Sequence, residues 1–132
     1  MNFNIVKIGE VKSQFTDPVG PEEMKDIISE IIIKKEYADG LYKIEENKYI
    51  MVVFAFHRKE DKSYDLIGER RYGGEKGVFS SRSPRRPSSI GVTVVKLLNR
   101  DDNILKVKGL DAINETPVLD IKPFAENYDC PS

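Results

Sequence analysis

Cysteine and histidine are almost absent from this chain of 132 residues. Cys130 is its only cysteine and His57 its only histidine. A single thiol forms no internal disulfide, which fits a reducing compartment and predicts a free cysteine in the tail. One histidine and one cysteine are too few for an ordinary zinc site, and a Ser-His-Asp triad would have to use His57. We therefore predict no metal centre.

Long apolar runs and nucleotide-binding motifs are missing as well. The most apolar run, residues 49–56, is far shorter than the ~18 residues of a membrane-spanning helix, and residues 1–7 do not have the pattern of a signal peptide. The chain contains no G-x-G-x-x-G after a strand, no Walker loop and no H-E-x-x-H. These absences predict a cytoplasmic protein without a membrane segment and argue against a Rossmann-type nucleotide enzyme.

The sequence does contain a series of short apolar segments separated by turn signals. Their alternation and β-branched content predict strands at residues 3–8, 29–34, 49–56, 77–79, 90–98, 104–110 and 118–121. The polar segment 59–76 predicts a mobile loop, and residues 37–46 a short helix or turn. Gly91, inside a strand, predicts a bulge or a close backbone approach. So many short strands predict one all-β domain over residues 1–132, a small β-barrel with short helical turns, because closure hides strand edges.

Positive charge is concentrated in the middle of the chain. The net charge is −1 overall, but residues 58–86 contain nine lysines and arginines against five acidic residues, so this segment carries +4 and the remainder −5. The asymmetry indicates a localised positive surface that suits nucleic acid, a phosphate or a carboxylate. A solvated charged face without a binding role is the alternative.

Residues 80–91, Ser-Ser-Arg-Ser-Pro-Arg-Arg-Pro-Ser-Ser-Ile-Gly, are the most distinctive part of this region and are called the Arg-Pro loop below. Pro84 and Pro87 lack a backbone N–H and bias the residues before them away from helix. The loop is therefore stiff, and arginines on a stiff loop lose less entropy when they bind an anion. A solvated basic turn is the competing interpretation.

Two further segments, at 57–58 and 109–124, carry side chains suited to chemistry. These side chains are His57, Arg58, Asp111, Asn114, Asp120 and Lys122. Each also has a purely structural explanation. A histidine at a strand end is commonly hydrogen-bonded, and aspartate or asparagine in a turn satisfies turn amides. Asp120 and Lys122 lie two apart on one side of a strand and so predict an exposed ion pair.

Together these segments resemble the TrmO-type family, in the same order and over most of the chain. The matching stretches are 8–13, 37–41, 56–57, 77–87 with 90–91, 110–111 and 116–123. The resemblance implies a small non-Rossmann β-barrel that uses S-adenosylmethionine to methylate N6 of threonylcarbamoyladenosine at position 37 of tRNA, beside the anticodon. It also implies a homodimer with the cofactor near the dimer junction.

Three short stretches depart from the family pattern. Where the family usually reads Arg-Pro-Asn-Pro-Ile-Gly, this chain has Ser88 and Ser89 in place of the middle Asn-Pro. Where the family reads Asp-Gly-Thr-Pro, this chain has Asn114 and Glu115 in place of Asp-Gly. Where the family reads Lys-Pro-Tyr, this chain reads Lys122-Pro123-Phe124. Phe124 lacks the tyrosine hydroxyl, so one hydrogen-bonding group is missing there.

Carried over to this chain, the resemblance implies three sets of site residues. The cofactor-binding set is His57, Arg58, Arg82, Val92, Asp111, Ile113, Asn114 and Thr116. Within it, the planar guanidinium of Arg82 suits the carboxylate of S-adenosylmethionine, and the carboxylate of Asp111 suits a ribose hydroxyl. The catalytic candidates, on the methyl-acceptor side, are Asp120 and Lys122. The candidates for salt-dependent contacts with the RNA backbone are Arg70, Arg71, Arg85 and Arg86.

Two other functions stay open at this point. One is a methyltransferase of the same fold that acts on another small acceptor, and the other is a non-catalytic barrel that binds RNA or a nucleotide. A cofactor-binding enzyme should gain thermal stability with S-adenosylmethionine, whereas a bare RNA binder should respond only to RNA.

Overall fold

The computed structural model describes residues 1–131 and is built mainly of antiparallel strands. The strands are β1 (Gly9–Lys12), β2 (Ile28–Ile33), β3 (Tyr49–Ala55), β4 (Ile67–Arg70), β5 (Gly74–Gly77), β6 (Ile90–Asp101), β7 (Ile104–Lys108) and β8 (Pro117–Pro123). Six of them close into a barrel in the order β1-β2-β7-β6-β3-β8, and β8 returns to pair with β1. The remaining two, β4 and β5, form a separate hairpin. The predicted all-β barrel is confirmed.

The helices are short. They are the single turns α1 (Pro21–Met24) and α2 (Glu126–Asp129), and the 3-10 turns Lys35–Leu41, Ile44–Glu46, Lys59–Lys62 and Val78–Ser80. The first two 3-10 turns fall where the sequence predicts a short helix or turn. Across residues 1–131, none of these helices has the length and apolarity needed to cross a bilayer.

The core lies inside the barrel, because alternate residues of each strand point inward. In β3, Ile50, Val52 and Phe54 are buried while the residues between them are half-exposed. The same period of two buries Leu105 and Val107 in β7. Cores of this kind are stabilised by about 25 cal/mol for each Å² of apolar surface removed from water.

Gly91 fits the predicted close approach, although its neighbours are aromatic rings and not backbone. It lies opposite Phe54 in the β3–β6 pairing. A Cβ at this position would stand 2.7 Å from the Phe54 ring and 2.8 Å from the Phe56 ring. These two rings pack edge to face with centroids 5.3 Å apart. The missing side chain of Gly91 therefore lets both phenylalanines sit at the end of β3.

Segment 59–76 is not a structureless loop, so that prediction is wrong. It contains the 3-10 turn at 59–62 and most of the β4–β5 hairpin. Gly73 and Gly74, with φ of 82° and 74°, make the hairpin turn that only glycine adopts without strain. The Arg70 guanidinium holds the hairpin base, because its Nε donates to the Lys76 carbonyl at 3.1 Å and its Nη2 to the Asp65 carbonyl at 2.9 Å.

Two predicted strands are placed wrongly. Residues 3–8 form no strand, and Phe3 and Ile5 are exposed, because the barrel hydrogen bonds begin only at Ile8, whose backbone pairs with Val118 and Lys34, and strand pairing follows from Gly9. Residues 77–79 were predicted as a strand, but the chain turns after β5 into the 3-10 turn Val78–Ser80. At 3–8 the partly alternating apolar residues have no strand partner, and at 77–79 the chain leaves β5 before a longer strand can form.

Candidate functional site

A cavity of about 640 Å³ opens at the barrel end where β3 finishes and β8 begins. Its wall is made by the last residues of β3, the 3-10 turn at 59–62, the β4–β5 hairpin, the Arg-Pro loop and the turn 111–116. Segments that are far apart in sequence meet here because the barrel brings strand ends to one rim. Its size is typical of a site for a small organic ligand.

One side of the cavity is apolar. Phe54, Phe56 and Met24 line it, and Ala112 lies among them. Phe54 and Ala112 belong to the buried core and Phe56 packs against it, so this part of the lining is continuous with the packed interior. Flat aromatic rings in the lining of a cavity suit a planar ring system in the ligand.

Charged side chains form much of the remaining lining, and most of them are positive. Five basic side chains line the cavity, namely Arg58, Arg70, Arg71, Lys76 and Arg82. Three carboxylates accompany them, namely Asp61, Glu69 and Asp111. The Thr93 hydroxyl donates to the exposed Asp111 carboxylate, which fixes its orientation. Such a lining favours a ligand that carries an anionic group together with hydrogen-bond donors.

The Arg-Pro loop is braced by its own arginines. Arg86 donates from Nη1 to the carbonyls of Ser81 and Ser83, at 3.0 and 3.1 Å. Arg82 donates from Nη2 to the Val92 carbonyl of β6 at 2.6 Å. The backbone N–H of Phe56 donates to the Ser89 carbonyl at 2.8 Å, which ties the loop to the end of β3. The loop is therefore held in place against the cavity, in agreement with the stiffness that its prolines predict.

Six of the eight predicted cofactor residues line the cavity. These are His57, Arg58, Arg82, Asp111, Ile113 and Thr116. The other two, Val92 and Asn114, are not among the lining residues. Val92 offers its carbonyl to Arg82. Asn114 uses its Oδ1 to accept the Ser13 N–H at 3.0 Å, so its side chain fixes the turn.

The predicted catalytic pair lies outside the cavity. Asp120 and Lys122 form an ion pair of 3.1 Å on β8, and both side chains are about half exposed. Neither residue is among those that line the cavity. The exposed ion pair, the structural explanation for these residues, is confirmed, while a catalytic role stays a prediction.

The four arginines predicted for RNA contacts fall into two groups. Arg70 and Arg71, on and beside the hairpin, line the cavity, whereas Arg85 and Arg86, on the Arg-Pro loop, do not. Arg70 and Arg86 both donate hydrogen bonds from their guanidinium groups to backbone carbonyls. Arg85 is exposed, and within residues 1–131 its side chain makes no hydrogen bond or ion pair.

Sequence reasoning missed the contact that attaches the hairpin to the body of the protein. The Tyr72 hydroxyl donates to the Glu22 carboxylate of α1 at 2.8 Å. This hydrogen bond is the main reason why the pKa of Glu22 is lowered, and it raises the pKa of Tyr72. The two residues are fifty positions apart, and no local pattern pairs them.

Sequence reasoning also missed several residues of the cavity lining, among them Phe54, Glu69 and Asp61. Asp61 is the least exposed of the three carboxylates there. It is 8% exposed and lies in the 3-10 turn that follows β3. Its neighbours in sequence are Glu60 and Lys62, and nothing in this polar stretch distinguishes it from the exposed acids around it. Only the fold shows that it faces inward. In the described residues, no group of three or more His, Cys, Asp or Glu side chains is placed to hold a metal ion.

Comparison with known proteins agrees with this geometry. Residues 8–130 match the family model described as the tRNA-methyltransferase O N-terminal domain. An S-adenosyl-L-methionine-binding protein of Archaeoglobus fulgidus is 42% identical over 128 residues, which cover 93% of this chain and 90% of that protein. The tRNA (adenine(37)-N6)-methyltransferase of Rattus norvegicus is 34% identical over 134 residues, 94% of this chain and 31% of the rat protein.

Solved structures give the same result for the fold. A crystal structure of TrmO superposes with a TM-score of 0.80 at 27% identity, and a TrmO structure from Pseudomonas aeruginosa with 0.79 at 25%. Each match covers 100% of this chain but only 62% and 60% of the longer proteins. The family model spans nearly the whole chain, and the barrel is the same. The chain therefore belongs to the tRNA-methyltransferase O N-terminal domain family.

Proposed function

We propose that this protein binds S-adenosylmethionine in the cavity and transfers its methyl group to N6 of adenosine 37 in tRNA. The observation that carries the proposal is the make-up of the cavity, where an aromatic wall, a braced arginine and carboxylates meet at the rim of this family's barrel. The names of the relatives, which refer to S-adenosyl-L-methionine binding and to methylation of adenine 37, support both halves of the proposal.

The residues of the cavity fit S-adenosylmethionine group by group. The volume lies within the 300–1,000 Å³ that is usual for such ligands, at about 640 Å³. Phe54 and Phe56 offer ring surfaces to the adenine. Asp111 offers an oriented carboxylate to the ribose hydroxyls, and Arg82 offers a planar guanidinium to the carboxylate of the amino-acid part.

Bound there, the cofactor supplies an activated methyl group on a positively charged sulfur. The protein holds the acceptor amine in line with that methyl group and excludes water. Holding the two reacting groups in this geometry is the main source of the rate enhancement. N6 loses a proton in the reaction, and the exposed carboxylate of Glu69 lies at the cavity to accept it. Because Glu69 is on the hairpin, the hairpin and the barrel together complete the site.

The specific substrate in this proposal is N6-threonylcarbamoyladenosine, the modified form of adenosine 37. Its threonyl group places a carboxylate close to N6, and the cavity offers Arg71 and Lys76 beside Glu69 to receive an anion. An anticodon-loop base is reached without melting a duplex, which suits a barrel of this size. Arg85, exposed on the Arg-Pro loop, is the best placed of the predicted arginines to contact the RNA backbone.

The proposal includes a cytoplasmic homodimer. Leu66, Ile67 and Phe79 are 60%, 68% and 78% exposed, and they are apolar side chains that association would remove from water. Sedimentation analysis tests this part: a mass of two chains supports it, and a single 15.1 kDa species at micromolar concentration contradicts it.

The first experiment is calorimetric titration with S-adenosylmethionine, followed by methyl transfer to tRNA that carries or lacks the threonylcarbamoyl group. Saturable binding with methylation of the modified tRNA alone supports the full proposal. Methylation of both tRNAs supports a tRNA methyltransferase but contradicts threonylcarbamoyladenosine as its specific substrate. RNA binding without cofactor binding identifies a non-catalytic barrel. Arg82→Ala should abolish cofactor binding, and wild-type affinity in that variant contradicts the role given to Arg82.

A further inference from the structure

Asp61 is a buried acid in a cavity that is otherwise rich in exposed charge. It is 8% exposed, whereas the other two carboxylates of the cavity, Glu69 and Asp111, are exposed. Asp61 lies in the 3-10 turn Lys59–Lys62, which follows β3 after residues 56–58, and it lines the cavity, while Glu60 and Lys62 of the same turn are exposed.

The carboxylate of Asp61 has no partner among residues 1–131. No lysine, arginine or histidine nitrogen lies within 4.0 Å of it, and no donor hydrogen-bonds to its side chain. Arg58, three residues before it, pairs instead with Glu60, Nε to Oε2 at 2.9 Å. Asp61 is largely covered as a residue, but its carboxylate oxygens are not among the fully buried side-chain atoms that lack a partner, so they keep access to solvent and are free to bind a cationic group of a ligand.

We propose that Asp61 binds the α-ammonium group of S-adenosylmethionine, on the side of the amino-acid part opposite to that held by Arg82. The inference rests on the proposed function, since it needs that cofactor in the cavity. An amino-acid zwitterion is recognised by one anion and one cation, and the cavity holds a buried anion and a braced guanidinium.

The cofactor has two positive groups, and the chemistry selects the ammonium. The charge on sulfur disappears as the methyl leaves, so a carboxylate held against sulfur would stabilise the bound cofactor more than the transition state. The ammonium keeps its charge throughout the transfer, so its ion pair with Asp61 adds affinity without slowing the reaction. The acceptor amine enters from solvent, where the exposed Glu69 serves it better than a buried acid.

The test compares three ligands on three proteins by calorimetry. The ligands are S-adenosylmethionine, S-adenosylhomocysteine, which keeps the ammonium but has a neutral sulfur, and methylthioadenosine, which lacks the amino-acid part. The proteins are the wild type, Asp61→Asn, and Asp65→Asn as a matched control, because Asp65 is exposed and does not line the cavity. Thermal unfolding without ligand checks that each variant folds, and Asp61→Ser serves in place of Asp61→Asn if the latter does not.

We expect the Asp61 variant to bind both amino-acid-bearing ligands about 10- to 100-fold more weakly, the worth of a hydrogen-bonded ion pair, with methylthioadenosine unchanged. A loss confined to S-adenosylmethionine would place the charge at sulfur and overturn the inference. An equal loss for all three ligands, or no loss at all, would overturn it too. A wild type that binds none of the three refutes the proposed function and the inference with it, whereas wild-type binding matched by the variant refutes the inference alone.

Discussion

Arginines of the same loop have different tasks, which their contacts reveal and their sequence does not. Arg86 is half-buried and holds two carbonyls of the Arg-Pro loop, whereas Arg85 is exposed and its side chain is unpaired within residues 1–131. Arg85→Ala should therefore leave thermal stability unchanged, weaken tRNA binding, and lower the slope of log affinity against log salt by about 1.

Arg86→Ala is the matched comparison for that prediction. It should lower the melting temperature, because two carbonyls lose their donor, as well as weaken binding. Filter binding of tRNA over a salt series and thermal unfolding measure both effects. Equal salt slopes for the wild type and the Arg85 variant would contradict a phosphate contact by Arg85.

Removing either of two buried hydroxyls should change stability, but in opposite directions. The hydroxyl of Ser29, 2% exposed, has no hydrogen-bond partner in the described structure. The hydroxyl of Thr116, also 2% exposed, donates to the Ile113 carbonyl at 2.7 Å. Ser29→Ala should raise the free energy of unfolding by about 1 kcal/mol, and Thr116→Val should lower it by about 1 kcal/mol. Denaturant unfolding measures both, and a destabilised Ser29 variant would indicate an unseen partner.

At the scale of the elements, the turn before β8 contains a strained residue. Glu115 has a φ of 70°, a left-handed conformation that costs a residue with a side chain about 1–2 kcal/mol. The family pattern has glycine at this position, which adopts that φ freely. The turn is also where Asn114 and Thr116 fix the cavity rim, so its conformation matters for the site.

Glu115→Gly removes a strain of about 1–2 kcal/mol but adds entropy to the unfolded chain worth up to about 1 kcal/mol, so denaturant unfolding should show a variant as stable as the wild type or up to about 1 kcal/mol more stable. The control is Lys34→Gly at an exposed position with an ordinary φ of −60°. There glycine only adds entropy to the unfolded chain and should destabilise by up to about 1 kcal/mol. Two variants of equal stability would show that the turn is not strained.

The attachment of the hairpin to α1 should depend on pH. The hydrogen bond from Tyr72 lowers the pKa of Glu22 below its usual 4.5 and is the first reason why the pKa of Tyr72 rises above 10.0. A lowered acid pKa means that the contact stabilises the fold above pH 4.5 and is lost as the pH falls through the lowered value. The raised pKa of Tyr72 means that the stabilisation by this contact is lost again at high pH, as the pH rises through the raised tyrosine pKa.

Tyr72→Phe tests this contact directly. The variant removes the donor, so the pKa of Glu22, followed by the NMR shift of its carboxyl carbon, should return towards 4.5. The exposed Tyr64→Phe is the matched control and should leave that pKa where it is. An unchanged Glu22 titration in the Tyr72 variant would mean that the hairpin is held in some other way.

The elements that sequence predicted correctly are those whose side chains alternate towards the barrel core. β3 and β7 are examples, because Ile50, Val52, Leu105 and Val107 mark an inward face by themselves. The β4–β5 hairpin escaped prediction because its strands, Ile-Gly-Glu-Arg and Gly-Glu-Lys-Gly, bury little and are held by backbone pairing. The strand predicted at 3–8 failed for the opposite reason, since its alternation has no partner strand.

At the scale of the whole molecule, the site could be predicted only as far as a family resemblance carries residues over. Six such residues, between His57 and Thr116, converge on one cavity because barrel closure brings the ends of β3 and β8 to the same rim. Asp61 has no distinguishing neighbours in sequence, and its burial depends on how the turn at 59–62 packs against the rest of the folded chain, including the Arg-Pro loop residue Ser89, whose hydroxyl reaches the Asp61 carbonyl. Burial of a single polar residue is a property of the assembled molecule and not of its local sequence.

Because the cavity is walled by both the barrel and the hairpin, cofactor binding should stabilise the molecule as a unit. At a cofactor concentration of 100 times Kd the gain is about 2.7 kcal/mol, which for a domain of this size raises the melting temperature by roughly 5–15 °C. Arg82→Ala should lose the shift with S-adenosylmethionine and keep its unliganded melting temperature within a few degrees, since one hydrogen bond to Val92 is removed. A wild type stabilised by tRNA alone, with no response to the cofactor, would instead identify an RNA-binding barrel without methyl transfer.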